Sequence, residues 1–190
     1  MENESNRDIR KKEIIDASLK LFQTNGIKET SINQIAKESS MAKGLIYYYF
    51  KSKESIIEEV ILEIAKNIDL DLKKVIGDKT KTFHEKISSV LKLYFKYINE
   101  YKLVVLNTPE NSGLFELVKS SFVNVAYEHG LKLIEDGKRE GSINIEYEKY
   151  TLLVLIAGLS ELYLSGVEDP NILATIVEQI LGFEKGTIKL

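Results

Sequence analysis

The sequence predicts an all-α fold in which a small three-helix module precedes a larger helical body, and three observations carry that expectation. Two prolines and eleven glycines in 190 residues leave long stretches such as 54–72 without a breaker, which favours helices over many short strands. Apolar residues recur at intervals of three and four rather than two. Capping residues and glycines stand where those periodic stretches begin and end.

Ile14, Ala17, Ser18, Leu21 and Phe22 share one face of a first helix, and Gly26 follows it as the glycine just past a helix end. Ser31 with Gln34 three residues on forms a capping box. It opens a short second helix through Ile35 and Ala36 that ends near Ser39. Ser39 and Ser40 connect it to a third short segment, 41–50. Two short helices joined by a tight turn make a helix-turn-helix. Ser52 caps a longer helix striped by Ile56, Ile57, Val60, Ile61, Ile64, Ala65 and Ile68, ending near Gly77. Thr82 and Glu85 form a second capping box ahead of Ile87, Val90, Leu91, Tyr94, Ile98 and Tyr101. Pro109 and Gly113 interrupt the chain before a helix over 114–139 that Gly141 closes. The run 152–159 is apolar on every face, and Asp169 with Pro170 opens the last helix, a cap followed by proline at the first helical position.

Hydrophobic residues make up 44% and charged residues 29%, the balance of a folded globular protein rather than a disordered one. The absence of cysteine excludes disulfides and Cys-based zinc or redox sites, and fits a reducing cytoplasm. Residues 1–12 carry no apolar stretch of a secretory signal, and the run 152–159 is too short to span a bilayer. A cytoplasmic protein with no membrane partner is expected. Charge is uneven: 1–54 hold ten Lys/Arg against eight Asp/Glu, leaving sixteen against twenty-one in the remainder. A mildly basic module precedes an acidic body, and binding of a polyanion depends on such local fields rather than on the net charge of −3.

The stretch 30–54 carries Thr30, Ser31, Ile35 and Ala36, then Lys43, Gly44, Tyr47, Tyr49 and Phe50, then Lys53 and Glu54. At these positions it closely resembles the DNA-binding signature of the TetR (tetracycline repressor) family of transcriptional regulators. The resemblance implies a helix-turn-helix DNA-binding domain over 1–54 and a helical ligand-binding and dimerisation domain over 55–190. It implies a homodimer on a double-stranded DNA operator, released by a small-molecule effector, with no cofactor. Beyond residue 54 it extends to length, helix order and the turn at 137–141.

The chemistry of this stretch points the same way. Phosphates need cations and N–H donors at a helix start, and base edges need side chains able to enter the major groove. Lys43 and Gly44 open the third helix, where the positive dipole end and a missing side chain let a phosphate approach. Tyr47 can present its hydroxyl to the backbone one turn on, Lys53 repeats the geometry at the next helix start, and Thr30 and Ser31 can offer amides. Base reading falls to Leu45 and Tyr48, with Ile46 and Phe50 turned inward beside Ile35, Ala36 and Phe22. An exposed leucine donates no hydrogen bond but can pack on a thymine methyl; the alternative is that Leu45 is buried. Three positions depart from the family pattern. Leu45 replaces the usual threonine, Ser40 the usual turn glycine, and Ala42 the usual serine cap, whose loss costs ~1 kcal/mol of helix stability.

In the body, Tyr94, Tyr97, Tyr101, Phe115, Phe122 and Tyr127 are candidates to line a ligand cavity, with core packing as the alternative. Their aromatic character points to an apolar or aromatic effector. A helix apolar all round must be covered on all sides, so Leu152, Leu155 and Leu159, with Ile172, Ile176 and Ile180 of the last helix, are candidates for dimerisation, and Gly158 permits close approach. His84 and His129 form no metal-ligand pattern, and no nucleophile–base pair or phosphate loop indicates an enzyme. A purely structural helical module explains the body but leaves the amino-terminal signature without a role.

Overall fold

The computed structural model describes residues 4–106 and 112–190, with side chains over 6–104 and 120–190. Among the described residues the chain is all helix and contains no strand. It forms α1 (Glu4–Asn25), α2 (Ile32–Glu38), α3 (Lys43–Tyr49), α4 (Lys53–Gly77), α5 (Phe83–Glu100), α6 (Lys102–Leu106), α7 (Ser112–Arg139), α8 (Glu148–Leu164) and α9 (Pro170–Leu181). By its contacts the chain divides into two compact units, 1–64 with 100–119 and 65–99 with 120–190. This grouping differs from a functional partition at residue 54: α4, which starts at Lys53, is shared between the two units, and 100–119 join the first.

In the first unit, the periodic residues of α1 do what their spacing implies: Ile14 and Phe22 are wholly buried, as are Ile35, Ile46, Ile56, Val60, Ile61 and Ile64 on the following helices. Gly26 adopts the left-handed conformation (φ 84°) and donates its N–H to the Phe22 carbonyl at 3.0 Å, ending α1. The helix begins ten residues before its first buried side chain. Ion pairs Arg10–Glu13 (2.8 Å) and Lys12–Asp16 (2.7 Å) lie along this exposed turn, and Lys11–Glu59 and Lys12–Glu63 tie it to α4. Such surface pairs contribute at most about 1 kcal/mol each.

The fifth helix does not continue through Tyr101 as its periodicity suggests. α5 ends at Glu100, Tyr101 is buried in the first unit, and the Val104 N–H closes a turn onto the Tyr101 carbonyl at 2.9 Å. The short α6 then packs on α1. Both pieces are helical, so an interval of three or four survives the break and conceals it.

The second unit is built on Ile76, Phe83, Ile87, Leu91 and Phe95 against Leu133, Leu155, Leu159, Leu173, Val177 and Leu181. The expected caps are present. The Thr82 N–H donates to Glu85 at 2.8 Å and the Glu85 N–H to Thr82 Oγ1 at 3.3 Å, while Asp169 accepts from the Asn171 N–H with Pro170 at the helix start. Gly141, at φ 71°, follows α7. At its other end α7 starts at Ser112, so Gly113 lies inside the first turn rather than in a break; Pro109 lies outside the described residues. Two α7 glycines lie in close packing contact. A Cβ at Gly137 would sit 2.3 Å from Phe83, and one at Gly130 2.8 Å from Leu152.

Residues 182–190 fold back on this unit. The carboxylate of buried Glu178 accepts the N–H groups of Gly186 (3.0 Å) and Ile188 (2.8 Å), and the Lys189 N–H donates to Ser88 Oγ. These backbone hydrogen bonds hold Glu178 below the ordinary glutamate pKa despite its burial.

Candidate nucleic-acid interface

The turn between α2 and α3 is set by backbone hydrogen bonds. The Met41 N–H reaches back to the Ala36 carbonyl at 2.9 Å and the Ser40 N–H to Lys37 at 3.2 Å, the Schellman pattern that needs a left-handed residue just past the helix. Ser40 supplies it at φ 55°, a conformation that costs a residue with a Cβ ~1 kcal/mol or more. Ala42 stands at the N-cap of α3 with no side-chain hydrogen bond.

Two buried residues, Ile46 and Phe50, fix the rotation of α3 by lying one turn apart against the core. Lys43, Gly44, Leu45, Tyr47 and Tyr48 therefore share the outward face. Leu45 is 37% exposed, Tyr47 48% and Tyr48 63%, and the Tyr48 ring meets Tyr49 edge-on at 5.1 Å. A Cβ at Gly44 would meet nothing within 4 Å. No neighbour within the fold requires glycine there.

Other residues expected at this surface are engaged inside the unit. Thr30 is buried, its hydroxyl donating to the Gly26 carbonyl at 2.8 Å and its N–H to Ile27. The Ser31 N–H is taken by Gln34 Oε1 at 2.7 Å, because the capping box that marks the helix consumes that amide. Lys53 turns inward to the α1–α2 loop, donating to the Ile27 carbonyl at 2.5 Å, and burial pulls its pKa below the ordinary lysine value against the attraction of Glu54 and Glu29. The carbonyls of residues 27 and 28 offer the ammonium acceptors at a helix start, where a positive charge is otherwise disfavoured.

The sequence profile of the bacterial regulatory proteins of the tetR family matches residues 14–60, which span α1 to α3 and the start of α4. The chain is 25% identical over 151 residues to the HTH-type transcriptional regulator YhgD of Bacillus subtilis, covering 77% of this chain and 78% of that one. It belongs to the TetR family. KstR2 of Mycolicibacterium smegmatis, an HTH-type transcriptional repressor, is 26% identical over 133 residues, which cover 70% of this chain and 64% of KstR2. A transcriptional regulator from Cytophaga hutchinsonii superposes with a TM-score of 0.79 at 19% identity over 89% of this chain and 95% of its own, a likeness of fold. This TetR-family chain is a helix-turn-helix transcriptional regulator.

The candidate effector residues are dispersed. Tyr94 donates to the Leu159 carbonyl at 3.1 Å, and burial pushes its pKa up to about 12. Tyr97 donates to Asp71 at 2.7 Å, and Phe122 and Tyr127 are half-buried on α7. Tyr101 belongs to the other unit, where burial raises its pKa to about 12, and the Phe115 side chain lies outside the described residues. A hydrogen bond between His129 Nε2 and Asp69 at 2.7 Å joins α7 to α4; the sixty residues separating the pair hide it from any local spacing. His84 instead packs edge-on against Phe83 and Phe183.

For the dimerisation candidates the structure corrects the phase of α8. Leu152, Leu155 and Leu159 are buried in the chain's own second unit, whereas Leu153, Val154 (65% exposed) and Leu164 face outward with Tyr150. An all-apolar helix carries no periodicity to say which side turns in. On α9, Ile172 and Ile180 are exposed and Ile176 is half-buried, and α9 packs on α8. A Cβ at Gly158 would meet nothing within 4 Å.

Proposed function

We propose that this chain is a cytoplasmic repressor that binds a double-stranded operator as a homodimer and releases it when a small apolar or aromatic molecule binds the helical body. The observation that carries the DNA assignment is the outward face of α3, where a lysine, a glycine without internal purpose, a leucine and two tyrosines are all exposed on one short helix whose rotation the buried Ile46 and Phe50 fix. Lys43 supplies the phosphate cation, Gly44 the space for close approach, Tyr47 a backbone hydroxyl, and Leu45 and Tyr48 face the bases.

Homodimerisation is supported by the outward apolar residues Leu153, Val154, Leu164, Ile172 and Ile180, which a soluble chain covers with a partner surface. The effector class is supported by the aromatic content of the second unit, which holds Tyr94, Tyr97, Phe122 and Tyr127. A ligand shifts operator affinity only by its differential affinity for the two states.

The test is to select fragments of the source genome with purified protein, define the shared sequence, and titrate the complex with apolar and aromatic metabolites. Enrichment of one inverted-repeat sequence, released by such a compound, is expected. Failure to enrich any sequence refutes the assignment, and release only by highly charged metabolites refutes the effector class.

A further inference from the structure

We propose that Leu45 reads a pyrimidine 5-methyl group, so that the operator carries a T·A pair opposite Leu45 and distinguishes it from C·G by the methyl rather than by a hydrogen bond. The proposal rests on the reading of α3 as the DNA-facing helix. Its starting point is a leucine that the fold does not use. Ile46 and Phe50 are buried to 0% and 3% exposure and fix the helix, while Leu45 stands out at 37% in its first turn.

A leucine has neither donor nor acceptor. In the major groove every base pair presents nitrogen and oxygen groups, and the thymine 5-methyl is the one apolar feature. Pressed against any other edge, Leu45 strips water from base atoms and offers no hydrogen bond in return, which costs affinity. Against a methyl it gains the burial of both apolar surfaces. The exposed Tyr48 lies three positions on and so next to Leu45 on the helix surface, its ring edge-on to Tyr49. Lys43 and Gly44 beside it set the helix on the backbone, and Leu45 then meets one base. Cytosine carries the same group once 5-methylated, so the recognised chemistry is the methyl and not the thymine hydrogen-bonding edge.

The experiment uses the unaltered protein and the operator selected from the genome, with each thymine of a half-site replaced in turn by uracil, which lacks only the methyl. Burying one methyl corresponds to a factor of about four in affinity. A loss of about fourfold at one position per half-site is expected, and about fifteenfold when both half-sites are changed. Placing C·G at that position weakens binding, and 5-methylcytosine recovers about fourfold; a hydrogen-bond reader recovers nothing. Leu45→Ala is expected to bind the operator more weakly and to be indifferent to uracil. Tolerance of uracil at every thymine overturns the proposal, as does a uracil penalty that persists in Leu45→Ala. Absence of any binding to random DNA at low salt instead refutes the DNA-facing reading on which it rests.

Discussion

Adding a single methyl at residue 44 separates what the fold needs from what the interface needs. A Cβ built on Gly44 finds open space to 4 Å, and the residue lies in the first turn of α3, preceded by a cap residue with no side-chain hydrogen bond. Replacing a helical glycine by alanine favours the helix by about 0.5–1 kcal/mol. For a chain of this size that raises the melting temperature by about 1–4 °C. The same methyl points outward, where a phosphate must approach the backbone amide. A hydrogen bond to a charged group contributes about 1.5–3 kcal/mol, so its loss weakens DNA binding by tenfold or more per head. Gly44→Ala is thus expected to be more stable and less able to bind, to random and operator DNA alike. Thermal melting and fluorescence anisotropy on both DNAs check this. A fall in melting temperature refutes the open space at Gly44, and unchanged DNA affinity refutes its role in the approach.

Ser40→Gly relieves a left-handed serine, and after allowance for the more flexible unfolded chain is expected to stabilise by about 0.5 kcal/mol; a lower melting temperature contradicts this. Lys53→Met removes hydrogen bonds to the 27 and 28 carbonyls. It is expected to destabilise by about 1–2 kcal/mol while leaving the salt dependence of DNA binding unchanged; a shallower salt dependence shows a phosphate contact instead. Glu178 has a folded pKa below its unfolded value, so its contribution is complete above the ordinary glutamate pKa near 4.5 and is lost as pH falls through the lower folded value. Glu178→Gln is expected to cost about 2–3 kcal/mol at pH 7 and to flatten the decline of melting temperature below that pH; an unchanged acid limb refutes the assignment. Val154→Glu places a charge on the outward face of α8 and is expected to shift the protein to monomer by light scattering; a dimer that persists refutes that face as the dimer surface.

Local features were legible in the sequence. The capping boxes at Ser31 and Thr82, the glycine after α1 and the Asp169–Pro170 start all depend on residues within one turn of each other, and each has the expected geometry. The phase of α3 was legible in part, because Ile46 and Phe50 are apolar at a helical interval, but Leu45 is apolar as well and only the fold shows that it turns outward. The phase of α8 was not: 152–159 is apolar throughout, and only the packing of the second unit shows which leucines turn inward. Long-range polar partners were equally invisible. Nothing near Lys53 announces the carbonyl of Ile27, nothing near His129 announces Asp69, and nothing near Glu178 shows that 186–188 return to it. A motif fixes the residue type at a position, whereas the direction of a long side chain depends on acceptors brought in by tertiary structure.

The salt dependence of binding to random DNA by the wild type and Lys43→Ala tests the central claim, that the outward face of α3 is the DNA interface, most directly. Each neutralised phosphate contributes about 0.9 to the slope of log K against log salt. Removing Lys43 from both subunits of a dimer is therefore expected to lower that slope by about 1.8 with no loss of thermal stability, since the side chain is exposed. A slope unchanged by Lys43→Ala, in a variant that melts like the wild type, contradicts the account.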